Sequence, residues 1–176
     1  ALGAALEGAD VLLVEKYGFL GGAATTSNVL AYCGFFQQGE TPIKAVGGVA
    51  DLVLDELCSL GLDCNPFCSP TTLNWIILLE LEAVKLALDR VLIKAGVDVL
   101  LPTRVAAVAR TADRIQSVTL AGMDGRRQVA AEAFVDATGD ANLAMLAGLK
   151  CRVGNDHGHL QAISAPIRIG GRDLTV

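Results

Sequence analysis

The stretch Asp10-Val11-Leu12-Leu13-Val14-Glu15-Lys16-Tyr17-Gly18-Phe19-Leu20-Gly21-Gly22 decides the fold. Val11 to Val14 is an unbroken apolar run, bounded by Gly8 and by Glu15-Lys16, which is how a strand buried on both faces of a parallel sheet reads. Ligands of such sheets collect beyond the carboxyl ends of the strands, where this sequence places one acidic residue and then a glycine-bearing loop.

A carboxylate at that position can accept hydrogen bonds from both hydroxyls of an adenosine ribose and repels a 2′-phosphate. Glu15 therefore favours FAD or NAD over NADP. The phosphate loop that completes such a unit lies roughly 20 residues before the acidic residue, upstream of Ala1. Gly3 and Gly8 do not replace it: Ala1 to Glu7 reads as a helix capped by Gly8. The sequence accordingly reads as a fragment, opening inside an element on Ala and not on Met.

Working outward, Ala23-Ala24-Thr25-Thr26-Ser27-Asn28 is small and polar, suited to close backbone approach at a strand end. Tyr32, Phe35 and Phe36 gather around Gly34 and read as core. After Gly47-Gly48, Val49, Leu52, Val53, Leu57 and Leu60 recur at three and four, which predicts an amphipathic helix closed by Gly61. Asp51, Asp55 and Glu56 are read as its solvated face. Leu62 to Thr72, with Pro66 and Pro70, reads as an irregular connection. Trp75 to Leu79 is expected to be a strand, and Leu81 to Ala95 a helix capped by Gly96.

Val97 to Leu101 then repeats the helix, glycine, strand order of the first 14 residues. Arg104 to Arg110, Arg114 to Ala121 and Arg127 to Ala131, with a turn at Asp124-Gly125, predict an antiparallel meander. Phe134 to Ala137 reads as a further buried strand. Thr138-Gly139-Asp140 follows at its end, before a short helix from Ala141 to Ala147 with Gly148 as cap. Asp140 can cap that helix or face a ligand. His157 and His159 sit in a polar turn, read as solvated, with proton transfer as the alternative. Ile163 to Ile169 suggests one more strand.

A hydrophobic fraction of 52% and a positive mean hydropathy fit sheets buried on both faces, or a chain that packs against further protein. No apolar run reaches the roughly 18 residues of a membrane span. The net charge of −5, without a clustered basic face, argues against nucleic acid. The expected site of action is the cytoplasm. Cys33, Cys58, Cys64, Cys68 and Cys151 are irregularly spaced, so neither a secreted disulfide framework nor a zinc ribbon is indicated, and most are expected to be reduced thiols.

Val-Leu-Leu-Val-Glu-Lys-Tyr-Gly-Phe-Leu-Gly-Gly at 11–22 and Val-Asp-Ala-Thr-Gly-Asp at 135–140, in that order and separated by an αβ step and a meander, resemble the FAD-dependent oxidoreductase family of the glutathione-reductase-like flavoproteins. The resemblance implies an α/β fold: a Rossmann-like FAD-binding parallel sheet with an inserted antiparallel β-meander and part of a substrate domain. Residues 1–61 would form the first part of the FAD-binding domain and 62–80 a connection with a partial substrate-domain strand. Residues 81–150, with the meander at 104–131, would form its second part, and 151–176 the start of the substrate domain.

Residue by residue, the resemblance implies that Glu15 holds the ribose and Lys16 lies beside the adenine. Gly21, Gly22 and Ala23 would pass close to the pyrophosphate and ribityl chain, with the hydroxyls of Thr25 and Thr26 toward the flavin. The main chain of Val105 would meet adenine, and Thr138, Gly139 and Asp140 would form a second FAD contact. The implied partner is a small organic substrate, with no metal; a homo-oligomer is an assembly that the sequence leaves open, and no residue stands out as a catalytic base. The competing readings are a non-catalytic α/β fragment needing further protein, and an NAD-binding Rossmann domain.

Overall fold

The computed structural model describes residues 1–165 and 167. The chain divides into two compact units, the first containing Ala1–Leu13 and Phe19–Asp98, the second Val14–Gly18 and Val99–Ser164.

Helix α1 (Leu2–Leu6) opens the first unit, and Gly8, at φ +86°, turns the chain into β1 (Leu12–Val14). The loop expected after Gly22 instead winds into a single helical turn, α2 (Ala23–Thr26). Positive φ at Gly21 and Gly22 reverses the chain, and the buried Thr25 hydroxyl donates to Leu20 O at 2.8 Å to hold the turn.

Strand β2 (Ala31–Cys33) precedes α3 (Val49–Ser59), β3 (Phe67–Cys68), β4 (Trp75–Leu78) and α4 (Leu81–Lys94). Strand β4 is central, pairing antiparallel with β2 through Cys33 and Ile76 and with β3 through Cys68 and Trp75. The tiny β3 corrects the irregular reading of 62–72; two residues are too few to show a period. Helix α4 starts at a side-chain cap, Glu80 accepting from Glu82 N at 3.1 Å and Ala83 N at 3.2 Å. Leu57, Ile77, Val84 and Ala87 have no exposed surface and form the centre of this unit. Tyr32 and Phe35 stack with ring centroids 5.4 Å apart, Phe35 being buried.

Glu56 corrects the solvated-face reading. It is 7% exposed and bonded to Arg90 at 3.2 Å and to Lys94 at 2.5 Å. Position 56 is three residues after Val53 and one before Leu57, so it lies on the buried stripe, against α4, and its charge is tolerated because two cations cover it. The Lys94 ammonium outweighs the upward push of burial and, with Arg90, holds the Glu56 carboxyl below the usual carboxylate range.

Most of the cysteines are free, as expected, and one pair is bonded. Cys58 and Cys64 are joined, with Cα atoms 5.8 Å apart, while Cys33, Cys68 and Cys151 are free. Gly61, at φ +92°, folds the chain back on α3, where Leu62 N donates to Leu57 O at 3.2 Å. That reversal, unreadable from cysteine spacing, brings the two sulfurs together.

Strand β5 (Asp98–Leu100) pairs with β1 as a two-stranded sheet. Asp98 N donates to Val11 O at 3.0 Å and Glu15 N to Leu100 O at 3.1 Å, the parallel pattern. In the second unit β6 (Arg104–Thr111), β7 (Arg114–Gly122) and β8 (Gly125–Val129) form the expected meander, in the order β6-β7-β8. Its core of Val118, Leu120 and Leu143 is flanked by Val14, Leu100 and Phe134.

Phe134 to Ala137 is not a strand, and Val135 is 87% exposed. A strand needs a partner for its backbone groups, and no strand among the described residues pairs with this run. The short helix that follows is α5 (Asn142–Leu146). Residues 154–159 form the expected turn, with Asn155 Oδ1 accepting from His157 N and His159 N. The strand expected over Ile163 to Ile169 lies partly outside the described residues, and 163–165 and 167 are not in a strand. No helix among the described residues is long and apolar enough to cross a membrane.

Candidate functional site

In the second unit, Glu15 follows β1 directly. Its backbone is fixed on both sides, Glu15 N donating to Leu100 O at 3.1 Å and Thr103 N to Glu15 O at 2.8 Å. Its half-buried side chain is held by the Tyr17 N–H, 2.9 Å from Oε1. The second carboxylate oxygen has no hydrogen bond among the described residues, so acceptor capacity remains for a hydroxyl-bearing ligand. Lys16 is exposed, its Nζ 4.9 Å from the centroid of the Tyr17 ring.

Val105 sits on β6, the edge strand of the meander, opposite Leu120, beside a bulge between Val105 and Ala107. Its side chain packs on the core of this unit.

Thr138, Gly139 and Asp140 form an exposed turn organised by a residue outside the expected site, Asp136. The Asp136 carboxylate accepts from Thr138 N at 3.0 Å, Thr138 Oγ1 at 2.7 Å and Ala144 N at 2.9 Å. Thr138 Oγ1 in turn accepts from Asn142 N at 2.8 Å. The threonine hydroxyl and Asp136 together therefore cap α5, and Asp140 does not. The readable signal was an Asp two residues before a Thr, which closes an Asx-type turn. Gly139 has φ +80°, and nothing lies within 4 Å of where its Cβ would stand, so backbone is open to approach there.

Desolvation pushes the Asp136 carboxyl upward, but hydrogen bonds from Ala144 and Thr138 outweigh it and hold the group below the usual carboxylate range. A depressed folded-state pKa contributes stability above the unfolded value and loses it as pH falls through the folded one. Asp136→Asn is thus expected to weaken the unit at neutral pH and to flatten its stability profile below about pH 4. Melts from pH 7 to pH 2 check this; parallel profiles for the two chains would count against it.

In the first unit, Gly21, Gly22, Ala23, Thr25 and Thr26 surround the start of α2. No atom lies within 4 Å of a Cβ built on Gly22, which leaves its backbone accessible. Both threonine hydroxyls are engaged within the loop. Thr25 is buried and donates to Leu20 O, and Thr26 donates to Gly22 O at 2.7 Å. Both tie down their own turn. No group of three or more His, Cys, Asp or Glu among the described residues could hold a metal ion.

Within the second unit, an anchored carboxylate with a free oxygen at Glu15 and uncovered backbone at Gly139 fit the chemistry of the adenosine end of a dinucleotide. In the first unit α2 is a single turn, too short to offer a helix N-terminus to a phosphate. A parallel strand pair ending in that carboxylate, followed by a meander, defines a nucleotide-holding α/β module. The model of the FAD dependent oxidoreductases matches residues 1–174. The chain belongs to that family, whose members are oxidoreductases with FAD as cofactor.

Comparison with curated proteins finds no match. Among solved structures, THI4 of Thermovibrio ammonificans is 17% identical, with 85% of this chain and 57% of that chain covered at a TM-score of 0.54. The anhydrotetracycline hydroxylase OxyS of Streptomyces rimosus is 14% identical, covering 88% and 32% at a TM-score of 0.57. CabE, an aromatic hydroxylase from angucycline biosynthesis, is 15% identical, covering 84% and 30% at 0.58. These likenesses show a shared fold. The chain spans 30% to 57% of the length of these structures.

Proposed function

We propose that this chain is the nucleotide-holding part of an FAD-dependent oxidoreductase in which hydride passes between a small organic substrate and the flavin. The observation that carries the reading is the Glu15 carboxylate, fixed at a parallel strand end with one oxygen tied to Tyr17 N and the other free. Bound flavin would supply the two-electron chemistry, and protein groups orient it.

In this reading Glu15 accepts from the ribose hydroxyls and Lys16 lies along the adenine. Gly22 and Ala23 let backbone approach the linker between the two halves of the cofactor, beside Gly21. Thr25 and Thr26 act through the shape of that loop. Val105 lines the adenine with its main chain, and Gly139 and Asp140 form the second contact, with Thr138 shaping their turn. Residues 1–61 and 81–150 would build the cofactor domain, 62–80 would connect them, and 151–176 would begin a substrate domain. A small-molecule substrate and self-association belong to the same reading.

The family match and the meander support FAD over NAD. The test is titration of the full chain with each dinucleotide, followed by fluorescence. FAD is expected to bind and NAD not. Glu15→Ala removes a hydrogen bond to a charged group, about 1.5–3 kcal/mol, and is expected to raise the Kd for FAD roughly 10- to 100-fold. Equal binding by wild type and variant would overturn the ribose role, and preference for NAD would overturn the FAD reading.

A further inference from the structure

The bridge between Cys58 and Cys64 sits inside the first unit, where α3 gives way to the connection that leads to β3. Cys58 lies in the last turn of α3 and is exposed, whereas Cys64 is half-buried. A thiol in solution therefore reaches the Cys58 sulfur first.

The end of α3 is held without the bridge. Gly61 N donates to Cys58 O at 3.0 Å and Leu62 N to Leu57 O at 3.2 Å, with Gly61 in the left-handed conformation that this reversal needs. Leu57, beside Cys58, is fully buried. Further on, Asp63 to Pro66 make no backbone hydrogen bond to another element. Asn65 N and Nδ2 donate to Asp63 Oδ1 at 3.0 and 2.7 Å, within the same run. The bridge is what ties this run back to α3.

Cys64 is also accommodated as a thiol. Its sulfur lies 3.5 Å from Leu62 O and 3.7 Å from Leu54 O. A bridged sulfur has no proton to donate, but once reduced its S–H can donate to either carbonyl. The Cys58 thiol faces water. Reduction thus leaves no buried polar group without a partner, and both states of the pair are compatible with the fold.

From these features we infer that Cys58 and Cys64 form a reversible thiol–disulfide exchange site, whose state sets the freedom of residues 63–66 while α3 stays in place. The reductant is a small dithiol. One of its sulfurs, as thiolate, attacks Cys58 Sγ; the S–S bond breaks, and Cys64 Sγ leaves with the electron pair and takes a proton. The second sulfur of the reductant then attacks the first, forms its own disulfide and releases Cys58 as a thiol. The dithiol loses two electrons and two protons, and the cysteine pair gains them.

The test equilibrates the full chain with dithiothreitol and its oxidised form at graded ratios, followed by acid quench, alkylation in denaturant and mass spectrometry. At the oxidising end only Cys33, Cys68 and Cys151 are expected to be alkylated, and at the reducing end all five cysteines, with the same transition approached from either side. Circular dichroism is expected to show the reduced chain still folded. Amide exchange at Cys64 and Asn65 is expected to quicken roughly tenfold on reduction, with Leu57 and Leu62 changing less than about twofold. A Cys58→Ser chain is expected to match the exchange of the reduced wild type and not to respond to dithiothreitol. Alkylation of all five cysteines at the oxidising end, unfolding of the wild type on reduction, or unchanged exchange at Cys64 and Asn65 would each overturn the site. No dinucleotide enters the measurement, so its outcome is independent of the cofactor reading.

Discussion

A Gly21→Ala chain is expected to lose several kcal/mol of stability in its first unit, whereas Gly18→Ala, three residues earlier, stays within about 0.5 kcal/mol of wild type. Gly21 has φ +121°, a conformation that costs a residue with a Cβ about 1–3 kcal/mol. The new methyl would also stand 2.4 Å from Thr25 Cγ2 and 2.5 Å from Thr25 Oγ1. Thr25 is buried and committed to Leu20 O, so it cannot withdraw without breaking the bond that closes the turn. Gly18 has ordinary φ and no atom within 4 Å of its missing Cβ. Urea melts of the two variants decide the matter, and coincident curves would show that Thr25 does not pin the loop.

Truncating Leu120 to alanine should cost about 2–5 kcal/mol. The side chain is 1% exposed and central to the core of the second unit, against Leu143 and the flanking Val14 and Leu100. Leu143 belongs to α5, which Thr138 and Asp136 cap, so a cavity at 120 loosens the support of that turn. The melt should shift to lower denaturant with its slope preserved, and amide exchange at Asn142 and Ala144 should accelerate. Met123→Ala, at a position 86% exposed, provides the contrast, expected within about 0.5 kcal/mol of wild type. A Leu120→Ala melt no lower than that of Met123→Ala would refute the core assignment.

The elements legible in the sequence were those that repeat. Helices α3 and α4 announced themselves by apolar residues at three and four, β1 by an unbroken run, and the meander by short alternating strands with Asp124-Gly125 at its turn. Glu15 was legible because its place at a strand end follows from the strand itself. What escaped depended on partners distant in the chain. Glu56 lies within the periodic stripe, but its burial rests on Arg90 and Lys94, more than 30 residues on. The Cys58–Cys64 bridge depends on a chain reversal, and Phe134 to Ala137 has a strand's composition without a strand beside it. The Thr138 turn was visible as a motif, while its organiser, Asp136, was hidden because a carboxylate inside an apolar run suggests nothing until its three hydrogen bonds are seen.

The pairing of Glu15 with Leu100 and Thr103 sets a schedule for synthesis. The five residues Val14–Gly18 leave the ribosome early, yet the rest of their unit starts only at Val99. At roughly 5–20 residues per second, the 85 residues from 15 to 100 take about 4–17 s to make. During that interval the acidic strand end has no neighbour within its own unit, whereas Phe19–Asp98 can already collapse. The nascent chain therefore acquires its Glu15 carboxylate in final form only after the intervening segment is complete, and a translational pause before Val99 would lengthen the exposure of β1.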